Sequence, residues 1–243
     1  MGMKRFLIEK VNSDVVQLAG SEHNHLRNVL RLNDGEQVIL NCGDGFDYIA
    51  TIKNVAKNYT ILHIDSKQVN GRDSKCDVTV FQAIVKGDNM SLIVQKCTEL
   101  GVKELVPFTS KFITAKDKEG KSDKLQLISN QSTKQCKRSI PMKVANTLSF
   151  DQMLSTLKNF DVVIFANECE NTTALKAINP QSSQKVAIIV GSEGGFSEDE
   201  IAKIINAGAH SITMGKRILR AETATIALAS VVMYLLGEWT HES

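Results

Sequence analysis

A chain of 243 residues with 42% hydrophobic content buries one good core or two modest ones, and a net charge of +2 by itself names no polyanionic partner. The five cysteines, Cys42, Cys76, Cys97, Cys136 and Cys169, are scattered without a Cys-x-x-Cys pair, which argues against a zinc site and a disulfide framework and fits a reducing cytoplasm. The longest apolar stretch, Ala224 to Leu236, is shorter than the roughly 20 residues that cross a bilayer, no charged-then-apolar leader opens the chain, and Phe6 stands where a myristoylation signal needs Ser or Thr, so no membrane association is expected.

In chain order, residues 4–9, 15–18, 37–40, 48–52 and 59–64 read as short strands, with Asp44-Gly45 as a hairpin turn between two of them. One helix interrupts them, opening near Ser21 and predicted to carry Leu26, Val29 and Leu30 on one apolar face. His23 and His25 lack further ligand-type neighbours and are expected as surface or capping residues. The polar, glycine-containing run Gln68 to Lys75 marks a domain boundary, giving domains 1–72 and 73–243.

Beyond Cys76 strands and helices alternate, the pattern of a largely parallel α/β sheet with helices on both faces. Strands are predicted over 78–85, 105–108, 162–166, 186–190 and 211–214. The helix 89–100 ends at Gly101, and another opens on a capping box of Ser197 and Glu200 and closes at Gly208. The last helix, Ala221 to Leu236, is apolar nearly all round and must be buried on more than one side, either within the monomer or at a subunit interface. From Lys111 to Lys143 nine Lys or Arg face three acids, a local charge of +6 that leaves −4 on the rest. Such a segment neutralises RNA phosphates, or is a solvated helix and loop.

Two runs near the C-terminus carry the chemistry. Gly191-Ser192-Glu193-Gly194-Gly195-Phe196-Ser197 follows the apolar strand Val186 to Val190, and Met214-Gly215-Lys216-Arg217-Ile218-Leu219-Arg220-Ala221-Glu222-Thr223-Ala224 follows one helix later. Glycines just past a strand end let the backbone approach a ligand, or form a plain tight turn. No Gly-Lys-Ser/Thr ends the first run and its glycine spacing is not the dinucleotide fingerprint, so triphosphate and dinucleotide sites lose ground.

The two runs closely resemble the cofactor motifs of the RsmE family of ribosomal RNA uridine-N3 methyltransferases, which are of the SPOUT class. The resemblance extends in the family's order through His25 to Arg31, Lys86-Gly87-Asp88, Gln95 to Val102, and Gln135 to Arg138 before Pro141. Ser192 stands where the family usually has Pro, Met214 where it has Leu, and Cys136 and Lys137 where it has smaller residues. The resemblance implies a small PUA-like β-barrel followed by a methyltransferase domain with a trefoil knot, a homodimer, and methylation of 16S ribosomal RNA in the assembled small ribosomal subunit.

It also implies S-adenosyl-L-methionine held by three loops: Phe165, Ala166, Asn167 and Glu168; Gly191, Ser192, Glu193 and Gly195; and Met214, Gly215, Ile218, Leu219, Arg220 and Thr223. Methylating N3 of uridine requires loss of its proton, so a cation that stabilises the developing anion, or a base, lowers the barrier. Arg220 is the first choice for the cation; Glu222 is either the base or an acid meeting the helix dipole. Arg138, with Lys134 and Lys137, is expected on RNA, with Arg217 and Lys216 as lesser candidates. Arg27 and Arg31, four apart on one helix face, either join them or are ordinary surface residues. Two rivals stand beside this reading. A non-catalytic RNA-binding protein is opposed by the intact glycines and the intact 220–223 run, and a nucleotide hydrolase by the missing phosphate-binding lysine and clustered carboxylates.

Overall fold

Alternation along Val15 to Ala19, with Val16 and Leu18 buried between exposed neighbours, is the pattern on which the first sheet is built. The computed structural model describes residues 3–113, 121–170, 178, 180, 181 and 184–239. The chain divides into two compact units, residues 1–73 with 133–141, and residues 74–132 with 142–243.

In the first unit five strands, β1 Lys4–Leu7, β2 Val15–Ala19, β3 Gln37–Asn41, β4 Phe46–Val55 and β5 Tyr59–Val69, lie in the order β1-β3-β4-β5-β2. Register shifts between Ile49 and Ala50 and between Ile52 and Asn54 bend the long β4–β5 pair and curl the sheet around Phe6, Leu26, Leu40, Ile52 and Leu62. The predicted Asp44-Gly45 turn forms, with the Phe46 N–H on the Asp44 carboxylate at 3.2 Å and Gly45 at φ +86°.

The predicted helix differs from expectation. Helix α1, Gly20–Asn24, runs on as a π-helical turn over His25–Leu30. Bonding from i to i+5 puts an extra residue into the turn and rotates Val29 off the face of Leu26, leaving Val29 67% exposed while Leu26 is fully buried. Arg31 then leaves the helix in the left-handed conformation, φ +53°, so Arg27 and Arg31 do not share a helix face as their spacing implied. His23 is neither a surface nor a capping residue. It is buried, with Nδ1 2.9 Å from the Thr60 hydroxyl and Nε2 3.2 Å from the Lys57 carbonyl. The carbonyl requires a proton on Nε2, so Nδ1 accepts from Thr60.

The second unit holds a six-stranded, all-parallel sheet: β6 Asp77–Ala83, β7 Glu104–Phe108, β8 Lys143–Val144, β9 Val162–Ala166, β10 Lys185–Val190 and β11 His210–Ile212, in the order β11-β9-β10-β6-β7-β8. Alternation along β10 builds a core on each face. Val186, Ile188 and Val190 pack with Ile93 and Cys97 of α2 (Asn89–Leu100) and with Leu228 and Val232 of α6 (Ala221–Leu235). Ala187 and Ile189 pack with Met153 of α4 (Phe150–Thr156) and Ile204 of α5 (Glu198–Asn206). Helix α3, Lys121–Cys136, precedes β8.

The punctuation predicted from sequence forms: Gly101 ends α2 at φ +97°, and Ser197 with Glu200 makes the capping box of α5. Helix α4, absent from the predicted elements, opens on an equivalent box of Ser149 and Gln152. The path from β10 through α5 returns β11 to the far side of β9, which brings the loops after β9, β10 and β11 to one edge of the sheet.

Candidate active site

In a parallel sheet every strand delivers its following loop to the same edge, where ligands of open α/β sheets bind. Here the loops after β9, β10 and β11 enclose a cavity of about 370 Å³. The loop 191–196 is a tight turn, closed by the Gly195 N–H on the Ser192 carbonyl at 3.0 Å. Gly195 sits at φ +65°, and a Cβ there would stand 2.8 Å from the Glu168 carboxylate. Gly194, which sequence gave no reason to single out, is required differently: its Cβ would lie 2.9 Å from the backbone oxygen of Phe112.

The loop after β9 is tied to β11 by Asn167. Its N–H reaches the Ile212 carbonyl at 3.0 Å and its side-chain nitrogen the Ser211 hydroxyl at 3.1 Å. In the loop after β11, Gly215 takes φ +100° and donates to the Thr213 hydroxyl at 3.2 Å. Arg220 is the exposed, extended N-cap of α6.

Ala166, Asn167, Glu168, Gly191, Ser192, Glu193, Gly195, Met214, Gly215, Ile218, Leu219 and Arg220 therefore come together on the cavity wall. Phe165, Glu222 and Thr223 are not on it. Phe165 is fully buried behind Phe196, which does line the cavity, the two rings edge-on at 5.2 Å, while Ile164 takes the other face of the sheet. Thr223 is exposed, and Glu222 meets Asn89 only at 3.5 Å. Ile201 and Thr213 line the cavity although sequence reasoning passed over them. Ile201 carried a signal, one turn beyond the Ser197 cap on the face of the glycine loop; Thr213 carried none.

The wall carries charge of both signs, Glu168, Glu170 and Glu193 against Lys216, Arg217 and Arg220, which suits a ligand bearing both charges beside an apolar part. Met214 and Leu219 supply apolar surface, and the glycines close backbone approach. Ser192 keeps a buried hydroxyl without a partner among the described residues, a polar valence left for a ligand. The Glu193 carboxylate also accepts the Lys86 N–H at 3.0 Å, which ties the Lys86-Gly87-Asp88 loop to the site. Among the described residues no cluster of three or more His, Cys, Asp or Glu is arranged for a metal ion, and no helix is long and apolar enough to cross a membrane.

The residues expected on RNA are less uniform than their charges. Arg138 is 6% exposed, its Nε 3.6 Å from Asp73, and Lys134 is paired with Glu22 at 2.7 Å. Lys137 is exposed, held at φ +68° with its carbonyl accepting from Asn70 at 3.0 Å. Arg31 is exposed too; Arg27 is exposed and caps the Lys57 carbonyl at 2.7 Å. Lys116 and Lys118 of the basic segment lie outside the described residues.

Comparison with known proteins agrees with this geometry. Residues 72–233 match the RNA methyltransferase domain and residues 18–65 the RNA methyltransferase PUA domain. The chain is 32% identical to the ribosomal RNA small subunit methyltransferase E of Mesomycoplasma hyopneumoniae, over 93% of this chain and 97% of that one. It is 28% identical to that of Bacillus subtilis, over 96% of each. Its fold superposes on the Neisseria gonorrhoeae ribosomal RNA small subunit methyltransferase E bound to S-adenosyl methionine with a TM-score of 0.90 at 28% identity, covering 98% of this chain and 100% of that one. A putative methyltransferase from Legionella pneumophila, in complex with the same cofactor, gives 0.89 at 28% identity, covering 96% and 98%.

Proposed function

The chain belongs to the ribosomal RNA small subunit methyltransferase E family, and on that premise we propose that it methylates N3 of one uridine in 16S ribosomal RNA, using S-adenosylmethionine. The observation that carries this is the cavity at the sheet edge, where the glycine loop and the Arg220 loop face one ligand space. When bound, S-adenosylmethionine supplies a methyl group activated by the adjoining sulfonium.

What the chain's own residues do follows from their positions. Glu168, Glu170 and Glu193, set against Lys216, Arg217 and Arg220 on the same wall, offer carboxylates to the cationic groups of the cofactor, and Met214 and Leu219 exclude water from its apolar part. The fixed turns at Gly195 and Gly215 hold the backbone groups in place before the ligand arrives, so little ordering remains for binding to supply. Arg220, at the mouth of the cavity and the start of α6, stabilises negative charge on the uracil as its N3 proton leaves. Glu222, off the cavity wall, meets the positive end of α6 in its first turn rather than taking that proton.

The curled sheet of the first unit, Lys137 and Arg31 on its surface, and the PUA-domain match support RNA contact there. Exposed Ile218, Val231, Tyr234 and Trp239 support a homodimer, and the return of β11 to the far side of β9 is the kind of path a knotted C-terminal domain takes. We place its work in the cytoplasm on the assembled small subunit. The test is calorimetric titration with S-adenosylmethionine, followed by transfer of its labelled methyl group to small subunits from cells lacking the protein. Binding without transfer would favour the non-catalytic RNA-binding alternative, and absence of binding would overturn the cofactor.

A further inference from the structure

Gln82, near the end of β6, has no exposed surface and does not line the cavity, yet it touches the glycine loop. Its side-chain nitrogen donates to the Ala83 carbonyl at 2.9 Å and to the Gly191 carbonyl at 3.1 Å. Its side-chain oxygen accepts the Thr225 hydroxyl. A primary amide has two N–H donors and one carbonyl, so two carbonyl partners fix its orientation and leave its oxygen needing a donor. Thr225, fully buried in the second turn of α6, is that donor. Its oxygen also lies 2.9 Å from the Ala221 carbonyl, but it has one proton, and the Gln82 oxygen meets no other donor among the described residues.

The amide therefore links two walls of one site. Gly191 opens the glycine loop, while Ala221, one helical turn before Thr225, and Ala224, next to it, line the same cavity in the first turn of α6. We propose that Gln82 and Thr225 are a positioning pair for methyl transfer, holding the Gly191 carbonyl and the N-terminus of α6 at one separation and so setting cofactor affinity from outside the cavity. The inference rests on the cofactor assignment above. Burial makes the link stiff, because an unmet amide oxygen or carbonyl inside the protein is costly and the loop has to shift to relieve it.

The test compares wild type, Thr225→Val and Thr225→Ser by calorimetric titration with S-adenosylmethionine, well below each protein's melting temperature and corrected for folded fraction. Valine keeps the volume and removes the proton; serine keeps the proton. Thr225→Val should bind about tenfold more weakly and Thr225→Ser within about twofold of wild type, with affinity for the RNA unchanged. If Thr225→Val lowered the melting temperature alone, or if serine failed to restore binding, the pair would be merely structural and the proposal overturned. Wild type that bound no cofactor would instead overturn the assignment of the cavity.

Should Thr225→Val not fold, Gln82→Glu serves in its place. A carboxyl facing two carbonyls stays neutral at low pH and repels the Gly191 carbonyl once charged, so its cofactor affinity should fall as pH rises while that of wild type holds steady. Parallel profiles for the two proteins would overturn the proposal.

Discussion

Gly195 and Glu168 face each other so closely that a Cβ on the glycine would stand 2.8 Å from the glutamate carboxylate. The side chain can swing away, but the backbone cannot escape its φ of +65°, which costs an ordinary residue about 1–2 kcal/mol and a β-branched one more. Gly195→Val is therefore expected to weaken S-adenosylmethionine binding at least tenfold by calorimetry, through a displaced turn. Unchanged affinity would remove the glycine loop from the site.

A second prediction separates Arg138 from Lys137. Asp73 accepts the Ser139 N–H at 3.1 Å, the Ile140 N–H at 3.0 Å and the Ser139 hydroxyl, and forms an ion pair with Arg138 at 3.6 Å, so the arginine belongs to a part-buried clamp on residues 138–140. Arg138→Ala should cost about 2 kcal/mol in denaturant unfolding, less than a fully orphaned buried charge because Asp73 keeps its other donors. Lys137→Ala should leave stability alone and flatten the salt dependence of RNA binding by about one unit of slope. An unaltered slope would return Lys137 to an ordinary surface lysine.

Burial pushes the Asp47 carboxyl up, but bonds from Arg5 at 2.6 and 2.8 Å, Asn70 at 2.7 Å and Asn41 at 2.8 Å together hold it below its usual range. A carboxylate depressed on folding contributes stability that is fully present above its unfolded value of about 3.9 and is lost as pH falls through the lower folded value. Asp47→Asn should thus be destabilised at neutral pH, with the gap to wild type closing below about pH 4 in chemical denaturation. A gap independent of pH would contradict the network.

A fourth concerns α6, whose buried side is Leu228, Ala229, Val232 and Met233 and whose other side exposes Val231 and Tyr234, the latter 6.5 Å from the exposed ring of Trp239. Tyr234→Asp should convert a dimer to monomer in sedimentation at low protein concentration. A wild-type monomer that bound cofactor tightly would refute the interface.

Much of this was legible in the chain because the signals were local. The caps at Gly101 and Ser197 and the glycine loops depend on a few adjacent residues, and the strands of the parallel sheet are short apolar runs between turns. The π-helical turn after Asn24 was not legible, since it follows from how the segment packs rather than from its apolar spacing. Nor was the placing of Arg138, whose partner Asp73 is 65 residues away in sequence. Charge counts see a basic window, whereas burial decides which cations remain for a phosphate. The site showed the same division: the glycines and Arg220 carry a motif, but Thr213 on the cavity wall carries none, and the Gln82–Thr225 link arises only when β6 and α6 meet.

Arg220 is the residue proposed to stabilise the negative charge that develops on uracil during methyl transfer. Small subunits lacking the modification would be incubated with S-adenosylmethionine and either wild type or Arg220→Ala, and N3-methyluridine in the 16S ribosomal RNA mapped by mass spectrometry over time. Wild type should methylate one uridine, and the variant the same position at saturating protein but about a hundredfold more slowly, with RNA affinity nearly kept. No N3-methyluridine with cofactor-binding wild type, or equal rates for the two proteins, would contradict this proposal.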